Sequence, residues 1–229
     1  MKVLKFIVSV LLVPVALACA YTALEILFTF GAYTKTHTLP FWLGVVCYVL
    51  FQFIFARPMR TYVFGHELTH ALAGLTSGAM LKKFKVSQKG GSVTLDRNNI
   101  WITLSPYFIP LYSVIVMLGY LFLGFFTSPA PYYPYFIFLI GFTTAFHFAL
   151  TYYAIKIGQE DLKIYGRFFS IVIIVIINAV TLTLVLAVFF HEHAKIADLI
   201  HITFSRTIHM YQYILGGLKT IWVSFQKTS

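Results

Sequence analysis

The chain has 229 residues, of which 59% are hydrophobic and 10% charged. A soluble domain carries about 25% charged residues, so a water-soluble globule is excluded and a polytopic membrane protein is expected. The net charge of +10 does not point to nucleic acid. Lys and Arg fall in short loops between apolar runs, where anionic headgroups favour them, and no RNA- or DNA-binding motif is present.

Residues 1–20, MKVLKFIVSVLLVPVALACA, have the basic start, apolar core and Ala-Cys-Ala end of a cleaved signal. Apolar character nevertheless runs on through AYTALEILFTF, which favours a first membrane span over 6–30, with Glu25 facing protein or the interface. Five further apolar runs approach the length of about 20 residues that a bilayer requires: roughly 40–56, 61–81, 99–126, 135–157 and 168–190. Cys19 and Cys47 lie in such runs and form neither a disulfide framework nor a CxxC site. Pro106 and Pro110 predict a kink or partial unwinding near the start of the fourth span. The uncharged TSPAPYYPY loop that follows offers tyrosines as interfacial anchors.

Two segments are not spans. LKKFKVSQKGGSVTLDRNN (81–99) is polar and alternating, and its FKVSQ and SVTL stretches predict two short strands around a glycine turn. From about Glu192 to Gln226, Lys195, Asp198, Ser205, His209 and Gln212 fall near one helical face. Ile196, Leu199, Ile208, Tyr211 and Leu215 fall on the rest. That pattern predicts an amphipathic helix at the membrane surface. No repeat or long linker interrupts the chain, so the expected fold is a single all-α integral membrane domain over 1–229. It has about six transmembrane helices, a short β-hairpin and a C-terminal amphipathic helix, with its core at 57–190.

The third apolar run holds FGHELTHALAG, residues 64–74. His66-Glu67-Leu68-Thr69-His70 is an H-E-x-x-H sequence, and on a helix residues four apart share a face. Both imidazoles can then bind one Zn²⁺ at about 2.0–2.1 Å, with Glu67 beside them to move a proton. A charged group in mid-membrane costs about 2.5–3.5 kcal/mol on insertion scales. Three ionisable groups in five residues therefore need compensation, which a bound dication in a polar cavity supplies. A catalytic zinc commonly takes three protein ligands and leaves a fourth position open. Asp161, just after the fifth span, and His147, in the middle of it, are the candidates for the third; Glu160 adjoins Asp161.

GHELTHALAG in a membrane helix, followed by the Gly-Gly hairpin, a proline-containing span and an acid near the next span, resembles the site-2 protease family of intramembrane zinc metallopeptidases. The resemblance covers about residues 57–180. It implies His66, His70 and Asp161 as zinc ligands and Glu67 as general base. It also implies that the KVSQKGGSVTL hairpin holds an unwound substrate strand near the metal. The implied activity is hydrolysis of peptide bonds in or near the transmembrane segment of a membrane protein. Asn178, polar within an apolar span, is read as a helix-packing hydrogen bonder that could also orient substrate.

Two other functions are carried beside this one. ZIP-type zinc carriers also place H-E-x-x-H in a membrane helix, but the run before the motif here, GVVCYVLFQFIFARPMR, holds no further ligands. A proteolytically inactive scaffold is the other, and the intact Glu67 argues against it. The loops at 31–39, 82–98 and 156–167 hold nine Lys and Arg, against four in the N-terminal segment, the 57–60 turn and the 127–134 loop. That bias places the hairpin and the Asp161 loop on the cytoplasmic side of a plasma membrane, of the bacterial inner-membrane kind.

Overall fold

The computed structural model describes residues 2–33, 35–55, 57–87, 90–189 and 195–228. The chain is mostly helical: α1 (Lys2–Tyr33), α2 (Lys35–Ile54), α3 (Met59–Thr76), α4 (Ile100–Leu104), α5 (Leu111–Leu123), α6 (Tyr133–Ile157), α7 (Asp161–Ile164), α8 (Arg167–Phe189) and α9 (Ile196–Thr228). One antiparallel hairpin, β1 (Leu81–Ser87) and β2 (Gly90–Leu95), follows α3. These elements form two compact units, Met1–Phe30 with Ile171–Ser229, and Gly31–Ser170.

Among the described residues three helical stretches are long and apolar enough to cross a membrane: Val3–Thr29, Ala130–Ile157 and Arg167–Ala187. The run expected to form the fourth span is instead a pair of helices, Ile100–Tyr107 and Leu111–Leu123, bent by 79°. Pro106 and Pro110 lie at that bend, where their missing N–H groups interrupt the helical ladder. The second apolar run gives a shorter helix, Thr38–Ile54. The third, expected to continue to residue 81, ends at Thr76 and carries Arg60, His66, Glu67 and His70. Its end is local in origin. Gly78 adopts a left-handed φ of +71°, and Ala79 N–H returns to the Gly74 carbonyl at 2.9 Å, the geometry in which glycine stops a helix. Length and apolarity thus support three spans, or four if the bent pair crosses as one, rather than six.

In the hairpin Ser87 faces Gly90, and pairing runs back to Leu81 opposite Leu95 with an irregularity between Leu81 and Lys83. Gly90 and Gly91, expected to make the turn, instead open β2; residues 88 and 89, which connect the strands, lie outside the described residues. Gly91 is small for another reason. A Cβ there would stand 2.5 Å from Glu67 Cγ and 2.8 Å from Val63 Cγ1, so its hydrogen lets β2 lie directly on α3.

Within Gly31–Ser170, α2 and α6 pack backbone to backbone. A Cβ on Gly44 would lie 2.0 Å from the Phe138 carbonyl oxygen, and one on Gly141 would lie 2.1 Å from that of Phe41. Small residues permit such contact between apolar helices, whose association rests on close packing. Tyr48, almost wholly buried, fills the seam edge-on to Phe142 and Phe146.

In the other unit, Cys19 and Ala23 of α1 pack on Ala179 of α8, flanked by Val15, Ile176 and Leu182. The awkward Glu25 is answered by α9: Arg206 pairs with its carboxylate, donates to Thr22 Oγ1 at 3.0 Å and lies over the Tyr21 ring. The Tyr211 hydroxyl donates to the Leu11 carbonyl. A C-terminal helix is present as α9, but of the face expected to be apolar Leu199 is buried while Ile196, Ile208 and Leu215 are exposed, and Ser205 of the polar face is half-buried.

Gly44→Ala and Gly141→Ala should each force α2 from α6, at an overpacking cost of about 1–3 kcal/mol. Gly119→Ala, where a Cβ meets nothing within 4 Å, should not destabilise. Thermal midpoints of the three variants in detergent check this; equal midpoints would contradict the close seam.

Candidate metal centre

α3 presents His66, Glu67 and His70 on a buried stretch that also includes Tyr62, Val63 and Thr69. Thr69 satisfies its hydroxyl on the Gly65 carbonyl at 2.7 Å. At the far end of α6, Gly158 takes a left-handed φ of +69°. The chain turns there, and Asp161, at the first position of α7, comes to α3. His66 Nε2 lies 3.2 Å from Asp161 Oδ2, His70 Nε2 3.4 Å from the same oxygen, and the two Nε2 atoms 3.2 Å from each other.

This triangle has a chemical meaning. Tetrahedral ligands at about 2.0–2.1 Å from zinc stand about 3.3–3.4 Å apart, and the three observed edges match. The tautomer of His70 agrees, since its Nδ1 lies 2.7 Å from the Ile102 carbonyl oxygen. A carbonyl only accepts, so Nδ1 carries a proton, which in the neutral imidazole leaves the Nε2 lone pair facing the other two atoms. Acceptor atoms this close repel unless a proton or a metal cation lies among them. Two imidazoles and a carboxylate form a donor set suited to Zn²⁺. Among the described residues, His66, His70 and Asp161 are the one such cluster of His, Cys, Asp or Glu.

The availability of the Ile102 carbonyl follows from the sequence. In a continuous helix it would accept from the N–H of residue 106, but residue 106 is proline. Asn99 caps α4, its Oδ1 accepting from Ile102 N–H at 2.8 Å. The short helix then passes into the tight turn Ser105–Tyr107, and the carbonyl, which also accepts from the Ser105 hydroxyl at 3.1 Å, orients His70, a common role for the outer partner of a metal-binding histidine. His66 Nδ1, in contrast, is the single buried side-chain nitrogen or oxygen among the described residues with no partner. His66 also lines a cavity of about 30 Å³ with Thr143, His147 and Thr151, large enough for a water molecule.

Asp161 is further held by the Tyr107 hydroxyl, which donates to Oδ2 at 2.9 Å. Burial alone would raise the Asp161 pKa. Hydrogen bonds from His66 and His70, and their charge, outweigh burial and hold the carboxyl well below the ordinary aspartate value of 3.8. Glu67 lies beneath β2, its Cγ against Gly91. A cavity of about 560 Å³ joins these groups, lined by His66, Glu67, His70 and Asp161 together with the β2 residues from Gly91 to Leu95.

Of the other predicted residues, His147 does not join the triangle and lines the small cavity behind His66. Glu160 is exposed and pairs with Lys163 at 2.6 Å. Asn178, in the other unit, donates to the Ile174 carbonyl of its own helix at 2.9 Å. Sequence reasoning missed Tyr107, Tyr62, Gln159 and the Ile102 carbonyl. Only the last had a local signal, a proline four residues on. No protein-family model, no curated protein and no solved structure matches the chain.

A depressed native pKa gives Asp161 a signed effect on stability. In chelator-treated protein its contribution is present above the ordinary value of 3.8 and is lost as pH falls through the lower native value. Asp161→Asn should remove that acid-side loss. Thermal midpoints followed from about pH 5 down to about pH 2 check it; identical acid slopes for the two proteins would contradict the pairing.

Proposed function

We propose that this protein is a membrane-embedded zinc endopeptidase of the site-2 protease kind, cutting a polypeptide in or near its transmembrane segment. The observation that carries the reading is the triangle of His66 Nε2, His70 Nε2 and Asp161 Oδ2, with Glu67 beside it in one cavity. His66, His70 and Asp161 would hold the metal. A bound zinc supplies Lewis acidity toward a peptide carbonyl and toward water at neutral pH. Glu67 takes the proton from the attacking water and later returns it to the leaving amine. Burial of Glu67 under Gly91 and Val93 fixes the carboxylate where that transfer is made.

A peptide must be extended to be cut, because a helix ties its carbonyls into its own hydrogen bonds. β2 pairs with β1 along one edge, and its residues line the cavity. A substrate segment added along the other edge is held extended by main-chain bonds, on the wall beneath which Glu67 lies. In this reading the bent pair, α2 and α3 are also membrane-embedded, giving six membrane segments. The hairpin and the Asp161 turn face the cytoplasm. A divalent-metal carrier would need further ligand groups along a path. Among the described residues His66, His70 and Asp161 form one group.

Purified protein should hold about one zinc per chain. The double variant His66→Ala/His70→Ala should lose it, and Asp161→Ala should lower metal content more than His147→Ala. Glu67→Gln should keep the metal and abolish cleavage of a model transmembrane substrate. Metal analysis and a cleavage assay read both. Stoichiometric zinc in the double variant, or wild-type cleavage by Glu67→Gln, would overturn the assignment.

A further inference from the structure

Gln159 stands on the turn between α6 and α7, two residues before Asp161, and lines the 560 Å³ cavity with His66 and Glu67. Its amide oxygen accepts from two tyrosine hydroxyls, Tyr107 at 2.7 Å and Tyr62 at 3.3 Å. Both tyrosines are buried. Tyr107 has one proton to share between Gln159 and Asp161 Oδ2. The Tyr62 hydroxyl has Gln159 as its acceptor among the described residues. Reversing the amide would leave that buried hydroxyl with none, at a desolvation cost, so the oxygen faces the tyrosines and the NH₂ group faces away. The two N–H donors have no protein partner among the described residues, and the amide nitrogen is not a buried orphan.

Resting on the peptidase reading, the geometry points to Gln159 as a catalytic residue that donates an N–H hydrogen bond to the oxyanion formed on the scissile carbonyl. In the addition step the water oxygen bonds to the carbonyl carbon, and the π electron pair moves onto the carbonyl oxygen. Glu67 receives the water proton. In the collapse step that pair re-forms the carbonyl, the C–N bond breaks, and the proton passes from Glu67 to the amine. Gln159 gives up no proton in either step. It stabilises the charge that exists between them, with a donor whose orientation the two tyrosines fix beforehand, and preorganised donors of this kind act most strongly in a water-poor site. The amide is neutral, so it adds no charge beside Asp161.

The test uses the full chain in lipid vesicles with zinc, as wild type, Gln159→Met and Gln159→Glu. Gln159→Met removes the donors at similar length. Gln159→Glu keeps an accepting oxygen for both tyrosines, and it carries the test if the first variant does not fold. The expected result is wild-type zinc content, KM within a few-fold, and kcat lowered about 100- to 1,000-fold. Affinity for a tetrahedral phosphonamidate peptide, measured by direct binding, should fall in step with kcat/KM. Wild-type kcat and phosphonamidate affinity in a folded variant would overturn the assignment, as would loss of zinc in parallel with activity, which would make Gln159 a support for Asp161. A wild-type protein that holds no zinc and cuts nothing would instead overturn the peptidase reading itself, so the two failures are distinct.

Discussion

Three lone-pair donors, His66 Nε2, His70 Nε2 and Asp161 Oδ2, meet within 3.4 Å of one another. Electron-rich atoms hold that spacing only with a proton or a metal ion among them, and the fold of Gly31–Ser170 brings all three to one point. Helix periodicity brings the two histidines together. A glycine-capped helix end returns the aspartate to them. A proline removes the N–H that would otherwise occupy the Ile102 carbonyl, and that carbonyl sets the tautomer of His70. Each device is local and inexpensive in sequence, and each acts only because the others deliver their atoms to the same point.

The same economy governs the approach of the hairpin. Gly91 allows β2 to touch the Glu67 side chain, so the strand that lines the cavity and the carboxylate beneath it form one wall. A side chain at that position would lift the strand from the helix. Gly44 and Gly141 do the same for α2 and α6, where backbone contact replaces the side-chain layer. In an apolar environment helices gain little from burying leucine, and close contact between small residues takes its place.

Much of the site was legible in the chain itself. H-E-x-x-H on a helix needs only the 3.6-residue period, and the break at Pro106 and Pro110 needs only the missing N–H groups. The choice between Asp161 and His147 was not decidable from spacing, since both lie far along the chain; the Gly158 turn separates them in space. Tyr107, Tyr62 and Gln159 gave no signal because their meaning lies in one another, across separations that no local pattern encodes. The span count fell short where apolar composition hid polar chemistry. Residues 61–81 read as greasy, but α3 ends at Thr76, short of Gly78, and carries ionisable groups of the site. Glu25 looked misplaced until Arg206 met it from a helix about 180 residues on.

The claim on which the functional reading stands is that His66, His70 and Asp161 hold one zinc ion together. X-ray absorption at the zinc edge of the purified full-length protein addresses it without an assay or a substrate. The account predicts only nitrogen and oxygen scatterers at about 2.0–2.1 Å, with the outer-shell pattern of two imidazoles. A sulfur shell at about 2.3 Å, or fewer than two imidazoles on the metal, would contradict it.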